Sequence, residues 1–370
     1  MLKEMKYLRY PISIQTFEKI IEGKYAYVDK TDLVYDLAQE NVCFLSRPRR
    51  FGKSLLISTL EAYFTGRKEL FEGLKIDSLE TKWEKYPVFR IDFAGGNFEN
   101  PNGLDDVLEN YLKKWESEYE IINERETFGV RFQNIINKAV ESTGKKAVVL
   151  IDEYDKPMLD VLGTDLEEKN RNILKGFYGT FKSADANLRF VLLTGVTKFS
   201  QISVFSGFNQ PNDISMNSKF DAICGITEEE LHNYFAEPIL EMADRMECTE
   251  DEVKEMLKKQ YDGYHFSQKM LDIYNPFSLI NAFNSMDIEN YWYRSGTPTY
   301  LVKLLEGHSV NMQKLTSKAY ESQYFVDYRA DSEDPLAMLY QSGYLTIKGY
   351  DKEYNEYFLD FFCIFNKNFF

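Results

Sequence analysis

The stretch VCFLSRPRRFGKSLLISTLEAYF, residues 42–64, decides the fold of this chain. Its apolar residues at 42–45 run into basic and turn-forming residues at 46–52, as a buried strand does where it enters a loop. From Lys53 onward, apolar residues recur at a spacing of three or four, which is the spacing of one face of a helix. The stretch therefore predicts a strand, a loop and a helix in direct succession.

The loop in this stretch has the residue types that hold a nucleotide phosphate. Backbone N–H groups at the start of a helix favour an anion, and Gly52 lets the backbone approach phosphate oxygens closely. Lys53 would place its ammonium at the β- and γ-phosphates, and the Ser54 hydroxyl would bind Mg²⁺. The strict pattern has a glycine where Arg47 stands, so the loop alone is a weak indication. The predicted nucleotide-binding residues are Arg47, Pro48, Arg49, Arg50, Phe51, Gly52, Lys53, Ser54 and Leu55.

A second motif strengthens this interpretation about a hundred residues later. The run AVVLI at 147–151 is apolar on both faces, which is typical of a central strand in a parallel sheet covered by helices. Asp152 and Glu153 follow directly, at the end of the strand where ligands meet such sheets. Asp152 would bind Mg²⁺, and Glu153 would orient and deprotonate an attacking water. An acidic turn is the alternative for this pair alone, but the two motifs together favour a nucleotide site.

Further polar residues are weaker candidates for this site. Thr194 ends a strand predicted over 189–195, where its hydroxyl would sense the γ-phosphate or the attacking water. Capping of its own backbone is an equally good explanation for Thr194. Lys198 follows a few residues later, and Asp29 and Lys30 would lie near the base and ribose.

Arg49 and Arg50 have two interpretations. A guanidinium matches the geometry of phosphate, so either residue could clamp the nucleotide or act as a finger across a subunit interface. The simpler interpretation is that at least one of them is a surface charge. A protein partner or a second copy of the chain therefore remains open as a binding partner.

Strands that alternate with helices predict an α/β fold, a doubly wound parallel sheet of the P-loop NTPase kind. The predicted strands lie at 42–45, 88–93, 147–151, 189–195 and 220–225, with a long loop at 197–219. One helix is predicted from Lys53 to its stop at Gly66. Further helices are predicted over 104–120, 127–142, 166–183, 228–246, 250–261, 276–283 and 299–305. A hairpin is predicted from strands at 343–348 and 357–359. The predicted domains are a P-loop ATPase domain over 1–225, a helical domain (lid or winged-helix-like) over 226–335, and a β-hairpin stub of a truncated C-terminal domain over 336–370.

Composition restricts the classes of partner. The chain has 370 residues and a formal charge of −15, which argues against binding of nucleic acid along the whole chain, although a local basic patch stays open. Its 4 cysteines and 3 histidines are scattered, so we expect reduced thiols and no zinc site. No apolar run approaches the roughly 20 residues that span a bilayer, and residues 1–11 lack an apolar run, so we expect no signal peptide there. We therefore expect a cytoplasmic protein without a membrane partner.

Four motifs follow one another along the chain: YVDKT at 27–31, RPRRFGKS at 47–54, LIDEYDKP at 150–157 and TGV at 194–196. Together with YDGY at 261–264, NPFS at 275–278 and YW…GTP at 291–298, they resemble the bacterial AAA-ATPase-like family, relatives of the archaeal-type ATPases. The resemblance implies that arginine is the usual residue at position 47. It also implies ATP and Mg²⁺ as ligands, with hydrolysis through Lys53, Ser54, Asp152 and Glu153. A PD-(D/E)XK nuclease-like domain often follows in that family, so we expect this reading frame to be truncated.

Three functions fit these observations. The first is hydrolysis of ATP that moves the helical domain against the sheet. The second is a nucleotide-binding switch or interaction module without hydrolysis. The third is a small-molecule or nucleotide kinase, which ranks last because the loop at 197–219 offers only Lys198 and Lys219 where a lid rich in arginine would be needed.

Overall fold

A five-stranded parallel sheet forms the centre of the computed structural model. The structure describes residues 9–122, 126–199, 211–294, 315–328 and 335–362. The strands of the sheet are β1 Val42–Ser46, β2 Val88–Asp92, β3 Ala147–Asp152, β4 Leu188–Gly195 and β5 Asn212–Asp213. They lie in the order β2-β3-β4-β1-β5, and every neighbouring pair is parallel. The predicted α/β fold with a doubly wound parallel sheet is confirmed.

The sheet is covered by helices on both faces. The helices that precede its strands or connect them are α1 Phe17–Glu22, α2 Thr31–Leu37, α3 Lys53–Phe64, α4 Gly103–Glu118, α5 Phe128–Thr143, α6 Lys156–Leu159, α7 Leu166–Tyr178 and α8 Thr180–Ser183. Side chains of a strand alternate between faces. In β3, Val148 and Leu150 accordingly pack into the core with α2 and α3, whereas Val149 and Ile151 pack into the core with α4, α5 and α7.

A mainly helical region follows the sheet. It contains α9 Glu228–Met246, α10 Glu250–Tyr261, α11 Pro276–Ser285 and α12 Tyr291–Arg294, with the short antiparallel strands β6 Ile226–Thr227 and β7 Ile273–Tyr274. A capping box begins α9. The Thr227 hydroxyl accepts the Glu230 N–H at 3.2 Å, and the Glu230 carboxylate accepts the Thr227 N–H at 2.8 Å. The helix predicted over 299–305 lies outside the described residues.

The C-terminal part forms the predicted hairpin and one strand more. Its elements are β8 Ala319–Tyr320, α13 Gln323–Val326, α14 Leu336–Gln341, β9 Leu345–Asp351 and β10 Glu356–Phe361. The strands make an antiparallel sheet in the order β8-β10-β9. Ile347 and Leu359 are buried in the same hydrophobic core as Phe44 of β1 and Ile151 of β3. The hairpin therefore helps to cover the central sheet.

The prediction of a strand over 220–225 is wrong. Residues Ser218–Ile223 form 3₁₀ turns with a kink at Phe220, and Phe220 and Ile223 are both buried. The turning backbone buries these two apolar side chains without the alternation of a strand. The fifth strand of the sheet is instead β5, inside the segment predicted as a loop.

The other differences are small. The helix predicted over 166–183 is divided into α7 and α8 at Gly179. Most remaining boundaries move by one to three residues, as expected where terminal turns fray. Among the helices that the structure describes, none combines the length and the apolar composition needed to cross a bilayer.

Candidate active site

The phosphate-binding loop joins the end of β1 to the start of α3. Gly52 lies just before the helix with φ +95°, a left-handed conformation that glycine adopts without steric cost. A Cβ on Gly52 would meet no heavy atom of the described residues within 4 Å, so its backbone angle is the reason for glycine here. Arg50 also has a positive φ, 69°.

Lys53 lies inside this loop and is only 6% exposed. Its Nζ donates to the carbonyl oxygens of Arg47 at 2.9 Å and Pro48 at 3.1 Å. Burial lowers the pKa of the ammonium, and the nearby Glu153 and Asp152 carboxylates oppose that shift. The structure thus brings the lysine of the first motif to the acidic residues of the second, as the sequence predicts.

Asp152 has one carboxylate oxygen engaged and one without a partner. Oδ1 accepts the Thr194 hydroxyl at 2.7 Å and the Glu153 N–H at 3.1 Å. Oδ2 is buried and accepts no hydrogen bond from any residue that the structure describes. Mg²⁺ prefers oxygen ligands, often one or two protein groups completed by phosphate and water. A buried carboxylate oxygen with unused lone pairs, with Ser54 at the first turn of α3, fits that ion.

Glu153 follows in an unusual backbone conformation. Its φ is +51°, in the left-handed region that non-glycine residues seldom adopt. The side chain is half-buried, and burial raises the pKa of its carboxyl group. The Lys53 ammonium opposes this shift, whereas the Asp152 carboxylate adds to it. A carboxylate whose pKa is raised toward neutrality is a stronger general base than an ordinary glutamate.

Thr194 lies at the end of β4, between the two motif-bearing strands. Leu45 of β1 is in register with Thr194, and Ile151 of β3 is in register with Leu193. The Thr194 side chain is fully buried, and its hydroxyl donates a hydrogen bond to Asp152, so it orients that carboxylate directly. Contact of the same hydroxyl with the γ-phosphate or water stays a prediction.

Arg47 occupies the glycine position of the strict motif for a structural reason. Its guanidinium is buried and donates to the carbonyl oxygens of Ser215 at 2.8 Å and Phe220 at 3.2 Å. It also lies 3.9 Å above the ring centroid of Phe266. The side chain therefore fastens the 3₁₀ segment to the end of β1, while the Arg47 carbonyl is left for Lys53.

The other loop residues divide into exposed and buried ones. Arg49 and Arg50 are exposed, and Arg50 lies 4.9 Å from the ring centroid of Phe277 at the start of α11. Phe51 is buried, and its ring centroid is 4.7 Å from that of Tyr264. These contacts fasten the loop to the helical region. Of the nine predicted loop residues, Gly52, Lys53, Ser54 and Leu55 are those at the junction with α3.

The weaker candidates have other partners. The Asp29 carboxylate accepts the N–H groups of Thr31 at 2.9 Å and Lys75 at 2.8 Å. Lys30 forms an ion pair with Glu230 of α9 at 2.7 Å. Both side chains therefore hold the N-terminal segment to its surroundings, and a contact with base or ribose would have to compete with these bonds.

Lys198 is also engaged elsewhere. Its ammonium lies 2.9 Å from Asp213 and 2.9 Å from Asp327. Burial alone would lower the pKa of Lys198, but the two carboxylates outweigh it and raise the pKa. The lysine thus links β5 to the segment after α13.

Two carboxylates near the site were not predicted. Asp92 ends β2 in register with Asp152, and burial raises its pKa, with a contribution from Asp152. Its position after the apolar end of a strand is the same signal that identified Asp152. Asp155 is buried, and desolvation raises its pKa to about 6. Its role depends on contacts with β4, which no local pattern reveals.

Comparison with known proteins agrees with this geometry. A family model described as a predicted AAA-ATPase matches residues 11–205, more than half of the chain. A protein described as an uncharacterized protein in the vnfD 5′ region of Azotobacter chroococcum mcd 1 is 37% identical over 340 residues. The match covers 91% of this chain but 64% of that relative, so the chain spans less than two thirds of the relative's length.

The matched segment contains the loop, the acidic turn and the end of β4, which are the parts that form the site. The description of the family indicates nucleotide binding, in agreement with the buried lysine and the carboxylates around it. The resemblance drawn from the sequence motifs is confirmed, and the chain belongs to the predicted AAA-ATPase family.

Proposed function

We propose that the protein binds ATP with Mg²⁺ and hydrolyses it to ADP and phosphate. One observation carries the proposal: Asp152 has a buried, unpartnered Oδ2 among the described residues, beside Lys53 and Glu153. Burying an unsatisfied carboxylate oxygen costs free energy, and this cost is expected where a ligand completes the site.

Binding would begin at the loop. The N–H groups at the start of α3 would donate hydrogen bonds to the phosphate oxygens, and the Lys53 ammonium would exchange its two carbonyl partners for phosphate oxygens. A bond from the ammonium to an anionic phosphate oxygen is stronger than one to a neutral carbonyl, because both partners are then charged. Ser54 and Asp152 would hold Mg²⁺, which neutralises charge on the β- and γ-phosphates when bound.

Glu153 would act on the attacking water. Its carboxylate takes a proton from water as the water oxygen bonds to the γ-phosphorus and the bond to the ADP oxygen breaks. The products are ADP and inorganic phosphate, and the proton on Glu153 then returns to solvent. Asp152, held by Thr194, would keep the neighbouring turn fixed during this step.

The helical region would respond to the nucleotide through the same loop. The Phe51 carbonyl accepts the Gly225 N–H at 3.1 Å, at the start of that region, and the Phe51 ring packs on Tyr264. A shift of the loop on phosphate binding would therefore be passed to residues 226–335, which we propose as the moving domain beside the ATPase domain at 1–225. Arg49 and Arg50 are exposed at this junction and could face a protein partner or a second copy of the chain.

One observation favours a nucleotide switch that does not hydrolyse ATP. Burial raises the pKa of the Glu153 carboxyl group, whereas the Lys53 ammonium opposes this shift. A proton held on that group would prevent it from taking one from water, and the protein would then bind ATP without turnover. Turnover, measured directly, separates the two functions.

The test combines ATP titration with phosphate release in the presence of Mg²⁺. We expect Lys53→Ala to lose ATP binding and Glu153→Gln to keep binding but lose turnover by roughly 100-fold or more. Lys138→Ala and Glu168→Gln, exposed residues on α5 and α7, serve as matched controls and should behave as the wild type. Binding without turnover in the wild type would favour the switch. Undiminished turnover in Glu153→Gln would refute the assignment of the base.

A further inference from the structure

The acidic turn, residues 152–155, holds the segment that leaves β4. We call residues 195–199 the β4 exit. The Tyr154 N–H donates to the Thr194 carbonyl at 3.0 Å, and the Tyr154 hydroxyl donates to the Thr197 carbonyl at 2.8 Å. The same hydroxyl oxygen accepts the Phe199 N–H at 3.2 Å. The backbone of Tyr154 thus binds the residue just before the exit, and its side chain binds the far end of the exit.

Asp155 adds a second pair of bonds. Its Oδ2 accepts the Val196 N–H at 2.9 Å and the Thr197 N–H at 2.7 Å. The side chain is 1% exposed, and no salt bridge within the described parts of the chain includes it. A buried carboxylate without a cationic partner is costly, so two strong backbone donors are what make this position tolerable.

The turn and the exit also touch without intervening space. A Cβ on Gly195 would lie 2.5 Å from Asp155 Oδ1 and 2.7 Å from the Tyr154 ring, distances that real Cβ atoms do not adopt. Glycine is therefore required here for close approach of the two segments. The acidic turn cannot move relative to the end of β4 unless these contacts break.

We call the contacts that tie the acidic turn to β4 and the β4 exit the clasp. Glu153, in its left-handed conformation, lies between these contacts. On one side Asp152 is held by the Thr194 hydroxyl, and on the other Asp155 is held by two N–H groups of the β4 exit. Uncommon backbone conformations of this kind persist where the surrounding structure enforces them, and they concentrate at functional sites. We propose that Asp155 is a positioning residue that fixes the Glu153 carboxylate toward the attacking water by tying the acidic turn to the β4 exit.

This inference rests on the proposed hydrolysis, and it assigns to Asp155 no contact with the nucleotide. It differs from a purely structural role in what it predicts for kinetics. Misplacement of a catalytic group lowers the rate of the chemical step, while binding through Lys53 and the loop is preserved. The loss should therefore appear in kcat and spare the Kd of ATP.

The experiment compares the wild type with Asp155→Asn and Asp155→Ala. The asparagine keeps one acceptor oxygen, so we expect a graded effect: kcat falls roughly 10-fold in Asp155→Asn and roughly 100-fold in Asp155→Ala, with the Kd of ATP within about twofold. Asp262→Asn is the matched control, because Asp262 is also a buried carboxyl group but packs against the helical region. It should leave kcat unchanged.

A second measurement does not depend on turnover. Without nucleotide, hydrogen exchange of the Val196 and Thr197 amides should be faster in Asp155→Ala than in the wild type, and unchanged in Asp262→Asn. Unchanged exchange at these amides would overturn the clasp. Wild-type turnover that persists in Asp155→Ala would overturn the positioning role alone, whereas absence of turnover in the wild type would remove both proposals.

Discussion

Replacement of Thr194 by valine tests the central contact of the site. The Thr194 hydroxyl donates to Asp152 Oδ1 at 2.7 Å, and the side chain is fully buried. Valine has nearly the same shape, so the change removes the donor and leaves the packing of β4 almost intact. The remaining partner of Oδ1 is the Glu153 N–H at 3.1 Å.

The expected loss follows from the charge of the acceptor. A hydrogen bond to a charged group contributes about 1.5–3 kcal/mol, more than a bond between neutral groups. Asp152 Oδ2 has no partner in the described structure, so loss of one of the two donors to Oδ1 leaves the carboxylate further unsatisfied. We expect Thr194→Val to lower the free energy of unfolding by about 2 kcal/mol.

The assay is urea unfolding without nucleotide, followed by a double-mutant cycle with Asp152→Ala. A direct bond between the two side chains should give a coupling free energy above about 1 kcal/mol. Thr180→Val is the matched control. Thr180 is also buried, but its hydroxyl donates to the neutral Gly129 carbonyl at 2.9 Å, for which we expect a loss of about 1 kcal/mol.

Two results would refute the reasoning. The first is a loss in Thr194→Val no larger than in Thr180→Val, which would show that the carboxylate does not strengthen the bond. The second is additivity of Thr194→Val and Asp152→Ala within about 0.5 kcal/mol, which would show that the two side chains do not interact.

Three further predictions concern stability. Glu153→Gly should raise the free energy of unfolding by about 1 kcal/mol, since glycine adopts the positive φ without strain. The same variant should abolish phosphate release. A lower free energy of unfolding in the variant would contradict the prediction. Burial raises the pKa of Asp262 to about 6, so the folded state retains a proton that the unfolded state has released, and stability falls as pH rises from about 4 through 6. In urea unfolding measured across this pH range, Asp262→Asn should reduce the fall in the free energy of unfolding by up to about 3 kcal/mol. An unchanged dependence of that free energy on pH would contradict the prediction. Arg47→Lys cannot span the separate carbonyls that the guanidinium binds and should lower the thermal unfolding midpoint by about 5 °C or more; an unchanged midpoint would refute the role of Arg47 in fastening the 3₁₀ segment.

The sequence predicted the sheet because its strands carry strong signals. The run at 147–151 is apolar on both faces, and it lies in the middle of the sheet as β3. By contrast, β5 is two polar residues long and pairs at one edge, where neither burial nor alternation leaves a pattern. The neighbouring 3₁₀ segment has apolar residues close together, and this pattern predicts a strand that the structure does not contain.

The sequence predicts the site residues that directly follow a strand. It does not predict the contacts that depend on the order of the strands in the sheet. Lys53, Asp152 and Glu153 meet because parallel strands bring their C-terminal ends to one edge. That β4 lies between β1 and β3, and so places Thr194 against Asp152, depends on the pairing of distant segments. The bonds of Asp155 to the β4 exit depend on the same arrangement.

The sharing of one core by the hairpin and the central sheet has a consequence for synthesis of the chain. Ile347 and Leu359 belong to the same hydrophobic core as Phe44, which leaves the ribosome roughly 300 residues earlier, or about 15–60 s at typical rates of elongation. During that interval the apolar face of the sheet lacks part of its cover, and contacts between such distant segments form slowly. The nascent protein therefore passes through a period in which it is open to aggregation, and chaperones that bind exposed apolar surface should raise its yield.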